Sequence, residues 1–115
     1  MGDNGCMYEA LFGNQVAEKC LLYIQNYGEG HINGIAKTFG FSPSQVQLQL
    51  RKLEDAGVVV SQFSGNIRLF KINPRLAIKG ELSALLEKIL LLTPEKETQK
   101  YFRQRTRPRR SGKKL

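Results

Sequence analysis

Four residues, Ser42-Pro43-Ser44-Gln45, fix where a helix must begin. A serine N-cap accepts an orphan amide of the first turn, and proline's locked φ suits the first helical position. A glutamine three residues past the cap can bond back to the cap's own N–H. Immediately upstream, Ile32, Ile35, Ala36 and Phe39 recur at helical spacing and Gly40 stands where a helix stops, with Phe41 turning back toward the core. Two helices separated by so short a turn have little choice but to cross each other.

What flanks this pair narrows the fold further. Helical periodicity runs over 14–27, with Asn14 as N-cap, Ala17, Cys20, Leu21, Ile24 and Tyr27 on one face, and Gly28 and Gly30 at the end. Beyond Ser42, Val46, Leu50 and Leu53 form the inward stripe of a helix that closes at Ala56-Gly57. Two β-rich runs follow, over 58–63 and 67–72, joined by the three residues Ser64-Gly65-Asn66. Helix, helix, capped helix and hairpin, in that order, predict an α+β and mainly α fold, a winged helix-turn-helix with a two-stranded wing.

After Asn73-Pro74 a long helix is expected to run to about Leu92. Its residues Ile78, Leu82, Leu85, Ile89 and Leu92 alternate steps of four and three, the spacing of a lengthwise helix–helix seam, and Leu86 and Leu90 widen it. We read it as a dimerisation helix, with Ile78, Leu82, Leu85, Leu86 and Ile89 at the interface. Thr93-Pro94-Glu95 repeats the cap-plus-proline start and predicts a short last helix to about Arg103. The expected organisation is a leader over 1–13, the winged helix-turn-helix over 14–74, dimerisation helices over 75–102 and a basic tail over 103–115.

Charge decides what kind of partner such a chain suits. The net charge is +8 with pI near 9.8, which calls for a polyanion. Arg103, Arg105, Arg107, Arg109, Arg110, Lys113 and Lys114 carry seven of those charges in the tail, so the rest of the chain holds eleven basic and ten acidic groups. Affinity of the folded part for nucleic acid must therefore come from placement, while the tail, expected to be disordered without a partner, adds non-specific attraction. With 41% hydrophobic residues there is enough for one small core, but no run approaches the roughly 18 apolar residues of a membrane span. The residues at the start lack the charged and apolar pattern of a secretory signal, and Cys6 and Cys20 suggest no disulfide framework. A reduced cytoplasmic setting, at the nucleoid, is the expectation.

The third helix presents the chemistry. At 100° per residue, Ser44, Leu48, Arg51 and Lys52 lie opposite Val46, Leu50 and Leu53, with Gln45 and Gln47 on the flanks. Gln pairs with adenine, Arg with guanine, Ser with either, and an apolar side chain such as Leu48 can lie on a thymine methyl. Ser42 and Ser44 at the helix start could also hold a phosphate through backbone amides and hydroxyls. The hairpin tip offers Asn66 and Arg68 to a minor groove or phosphate, with Lys71 further along, and Lys37 on the second helix is a further candidate phosphate contact. Tyr101 and Phe102 are read as packing residues of the last helix. No glycine-rich phosphate loop, HExxH or paired-cysteine spacing occurs, so enzyme, metal and cofactor readings find no motif. His31 reads as a helix-start residue, and Cys20 fits a core better than a zinc site, which wants four ligands.

The segments Leu11-Phe12-Gly13, Phe39-Gly40-Phe41-Ser42-Pro43-Ser44-Gln45-Val46, Leu50-Arg51-Lys52-Leu53-Glu54-Asp55-Ala56-Gly57-Val58-Val59 and Gly65-Asn66-Ile67-Arg68-Leu69-Phe70-Lys71-Ile72-Asn73-Pro74 together resemble the arsenical-resistance-repressor-like winged-helix regulators. In particular they resemble a small prokaryotic branch sometimes joined to a nucleotidyltransferase domain. The likeness implies a homodimeric transcriptional regulator, a repressor acting on double-stranded DNA, with the Ser42 helix in the groove and the Gly-Asn-x-Arg hairpin as wing. The cysteine pair of metal-sensing members is absent, so a metal response is not implied. Two alternatives stay open: a protein-interaction module for a toxin or nucleotidyltransferase partner encoded nearby, and RNA binding through the Arg-rich tail.

Overall fold

Asn14 opens the first helix that lies wholly within the described residues: its side-chain oxygen accepts the N–H of Val16 at 2.7 Å and of Ala17 at 3.1 Å. In the computed structural model, which describes residues 10–93, this helix, α1, spans Gln15–Tyr27. It is followed by α2 (Ile32–Phe39), α3 (Pro43–Asp55), β1 (Val59–Ser64), β2 (Ile67–Ile72) and α4 (Lys79–Leu92). The order is that of a winged helix-turn-helix, mainly α with one antiparallel hairpin after the third helix. The leader before residue 10, Cys6, the expected last helix and the basic tail lie outside the described residues.

Each boundary has a local cause. Gly40 closes α2 in the left-handed conformation, its N–H and that of Phe41 both donating to the Ala36 carbonyl, and this points Phe41 back onto the core. His31 holds the N-cap position of α2 but makes no cap bond; its ring lies over Gly34 instead. The hairpin turn is tighter than the sequence suggested: Ser64 pairs with Ile67, leaving only Gly65 and Asn66 between the strands. Gly65 has φ 65° and Asn66 does not have positive φ, the sign pattern of a type II′ turn, which only glycine enters cheaply at its first position.

The long helix begins later than its periodicity implied. Asn73 donates from Nδ2 to the Gly57 carbonyl at 2.9 Å and accepts the Arg75 N–H at 2.9 Å, which holds the chain in turns until Lys79. Local side-chain bonding to the backbone has here outcompeted helix extension.

One apolar cluster unites all these elements. α1 contributes Val16, Cys20, Leu21, Leu22 and Ile24; α2 adds Ile35 and Ala36; α3 adds Val46 and Leu50; the hairpin adds Val59, Phe70 and Ile72; and α4 adds Leu86, Ile89 and Leu90. α1 is the shared wall, packing against α2, α3, β2 and α4. An edge of aromatic rings runs along it: Tyr23 lies 4.6 Å from Tyr27 and 6.3 Å from Phe39, which in turn stacks on Phe41 at 5.7 Å. The hairpin is tied to the α1–α2 connection by a pair of backbone bonds between Gly30 and Phe70, at 2.9 and 2.8 Å. The approach is so close that a Cβ on Gly30 would stand 2.9 Å from the Tyr23 ring. Glu18 and Asn26 also lie on the buried side of α1, a placement its apolar pattern did not indicate. Among the described residues no helix is long and apolar enough to cross a membrane.

Cys20 reports on the quality of this core. Burial pushes its thiol from 9.0 up to about 12. Because the folded-state value is the higher one, the stability tied to the neutral thiol is intact below pH 9.0 and fades as the pH rises toward about 12. Over that window the wild-type protein is expected to lose up to about 1.4 kcal/mol of unfolding free energy per pH unit relative to Cys20→Ala, read from urea melts. A gap between the two proteins that stays constant with pH would contradict the burial.

Candidate nucleic-acid interface

The third helix owes its orientation to the two sides of its own sequence. Val46 and Leu50 are fully buried and Leu53 is half-buried, while Ser42, Ser44, Gln45, Gln47, Leu48, Arg51 and Lys52 are all exposed. Ser44, Gln47, Leu48 and Arg51 fall at relative positions i, i+3, i+4 and i+7 and so form a single outward ridge, with Lys52 beside it and Asp55 at its far end. Arg51 and Lys52 have no acid partner among the described residues. The outward face expected from the sequence is therefore exposed.

The capping box expected at Ser42 forms, and it commits two of the exposed side chains. Ser42 accepts the Gln45 N–H at 3.2 Å, and its own N–H donates to Gln45 Oε1 at 3.2 Å, completing the capping box. Ser42 Oγ also lies 3.2 Å from that same Oε1. The Gln45 oxygen is thus taken up by the cap, leaving its Nε2 as the outward donor. Gln45 is not available for the bidentate acceptor-and-donor contact its residue type suggested. Gln47, with no such bond among the described residues, keeps both groups free.

The wing departs further from expectation. Arg68 was expected to reach outward from the tip; instead it folds back onto α3. Its Nε donates to Ser61 Oγ at 2.9 Å and its Nη2 to Glu54 Oε1 at 3.0 Å, while the Ser61 hydroxyl donates to Glu54 Oε2 at 2.6 Å. The guanidinium sits 5.4 Å from the Phe70 ring and 5.9 Å from that of Phe63. A strand residue, its neighbour on the paired strand and the last turn of α3 are joined in one charge-assisted network. Glu54 and Ser61 were not singled out from the sequence, because the contact requires the hairpin register, in which Arg68 pairs with Phe63 and lies diagonal to Ser61. The tip left to a partner consists of Gly65 and exposed Asn66, flanked by two apolar side chains, Phe63 at 69% exposure and Ile67 at 47%. Lys71, nearer the base of the hairpin, is exposed, as is Lys37 in the last turn of α2.

The proposed dimer seam is divided. Leu86 and Ile89 are consumed by the protomer's own core and Leu82 is partly packed against it, so the expectation that all five seam residues face a second chain does not hold. Inside the protomer, where α4 packs against α1, the buried residues are Leu86, Ile89 and Leu90, and only Ile89 of the four-three series is fully covered. Ile78 and Leu85 remain exposed, together with Leu91 and Leu92 toward the helix end. The tail residues Arg103, Arg105, Arg107, Arg109 and Arg110 lie outside the described residues. Among the described residues no group of histidine, cysteine or acidic side chains gathers into a metal site.

No family model matches the chain, and no curated protein is similar enough to stand as a relative.

The Arg68–Glu54–Ser61 network makes a measurable claim about stability. With the side chains of Arg68 and Glu54 at 46% and 29% exposure, solvent screening limits the pair. A double-mutant cycle with Arg68→Ala and Glu54→Ala is expected to give a coupling of about 0.5–1 kcal/mol in thermal or urea unfolding. Ser42→Ala, removing the cap, should cost about 1 kcal/mol independently of it. Zero coupling would mean that the wing is not anchored through this pair.

Proposed function

We propose that the protein is a sequence-selective double-stranded DNA-binding regulator that lays α3 in a major groove. The observation that carries this is the exposed ridge Ser44, Gln47, Leu48 and Arg51 on a helix whose other side is locked into the core. Direct readout needs side chains of these types on a rigid support, and a helix both capped and bedded on Val46 and Leu50 supplies it. The sequence likeness to arsenical-resistance-repressor-like regulators supports the same reading, including cytoplasmic repression by steric occlusion in a prokaryotic setting. Within it, Lys52 contacts phosphate, Asn66 and the wing flank the reading helix, and the arginines of the tail add attraction that ignores sequence. Arg68 acts here by holding the wing to α3. A homodimer would set half-sites about one helical turn apart, near 34 Å. Its contact would draw on Ile78, Leu85, Leu91 and Leu92, the apolar residues of α4 that the core leaves exposed.

A second reading is favoured by one specific observation. Exposed Phe63, Ile67 and Leu48 put apolar area on the hairpin and on the ridge, where a reader of phosphates would carry charge. A protein partner, such as a toxin or nucleotidyltransferase, would use that area.

Selection from a random duplex pool separates the two. DNA reading predicts an enriched motif. Arg51→Ala should relax discrimination at one base pair by about 1–3 kcal/mol, and Lys52→Ala should weaken all sequences alike and flatten the log–log salt slope by about 0.9. A pool that yields no motif with the full chain would overturn the groove reading in favour of the protein partner.

A further inference from the structure

Away from the reading ridge, the end of α1, the base of the wing and the start of α4 border a half-open cleft of about 450 Å³. Its floor includes Ile24 and Ile72, both buried, and its walls include Gln25, Ser83 and two lysines, Lys71 and Lys79. The lysines come from different elements, β2 and α4, and neither has an acid partner among the described residues. Placing two unpaired ammonium groups around one concavity raises the local positive potential, and low-dielectric walls focus it.

Three acids stand close in sequence to lining residues, Glu29 beside Gly28 and Glu81 and Glu87 on α4, and none of them is among the residues that line the cleft. Glu87, one turn beyond Ser83, accepts the Gln25 Nε2 at 3.3 Å. Glu81 lies two residues from both Lys79 and Ser83, on the far side of the helix. The start of α4 has no side-chain cap, so its first-turn amides add their dipole at the same end.

We propose that this cleft binds a small organic anion: one phosphate or carboxylate group held by Lys71, Lys79 and the Ser83 hydroxyl, on a compact apolar body resting against Pro74 and the accessible edge of Ile72. The volume lies within the range of small-molecule pockets, and convergent polar groups beside apolar side chains are what such a ligand needs. A ligand so held bridges the wing strand and α4 across the Asn73-Pro74 turn. The proposal does not rest on DNA binding.

The test is an amide chemical-shift titration of the full chain, without DNA and at constant ionic strength, using phenyl phosphate, inorganic phosphate and benzyl alcohol as probes. Phenyl phosphate is expected to give saturable shifts at Gly28, Ile72, Lys79, Gly80 and Ser83, and to bind about fivefold or more tightly than either of the other two, since only it offers both parts. The Lys71→Gln, Lys79→Gln double variant should weaken it about tenfold. Ser83→Leu, which fills the cleft and leaves both charges, should abolish it. Shifts that rise linearly and spread over surface cations at large would overturn the proposal. So would equal binding by the double variant. If phenyl phosphate fails to saturate while the double variant loses affinity for duplex DNA, the lysines serve a phosphodiester backbone and the small-molecule site is refuted.

Discussion

The fold depends on a single helix, α1, buried on most of its circumference so that it can serve four neighbours. α1 meets α2, α3, β2 and α4, and its residues Cys20, Leu21 and Ile24 sit at the centre of the cluster that those elements complete. Among the described residues this is the one apolar cluster that all the elements share. Truncating any of these side chains would loosen the wing and the last helix together, since neither has an independent apolar base. This explains why the ridge on α3 can be so exposed: Val46 and Leu50 are held firmly enough from behind that the opposite side is released from any packing duty.

That separation of duties gives the candidate interface its character. The N-terminal end of α3 is rigidified by the Ser42–Gln45 cap and its C-terminal end by Glu54, which receives Arg68 and Ser61 from the wing. Between those two fixed ends, Gln47, Leu48 and Arg51 are free of internal bonds. The near balance of acidic and basic groups outside the tail fits such an arrangement, in which position rather than bulk charge does the selecting.

What was legible in the sequence follows from what is local. Asn14, Gly28, Gly40, Ser42 and Pro43 announce helix ends because caps are built from residues adjacent in the chain, and all five stand where they were expected. The stripe of Val46 and Leu50 was equally plain, since helical spacing fixes which side is buried. It does not fix what covers that side. The spacing of Ile78, Leu82, Leu85 and Ile89 fits a second chain or the protomer's own α1, and only the tertiary fold assigns Leu86 and Ile89 to the latter. Arg68 was misjudged for a related reason. Its partners are seven and fourteen residues distant, and their meeting depends on a register that shifted when Ser64 joined the strand instead of the turn. Asn73 and Gln45 each had two possible uses, and in both the backbone claimed the side chain. The burial of Glu18 and Asn26 runs against residue type and had no herald in the pattern.

The hairpin is fastened at two places, by the Gly30–Phe70 backbone pair midway along and by the Arg68 network nearer its tip. A projecting two-stranded ribbon is by itself a marginal and wandering object. Pinned twice, it confronts whatever docks on it in one pose already selected, so little disorder remains to be quenched at the moment of association, and the fit is decided by shape rather than by search.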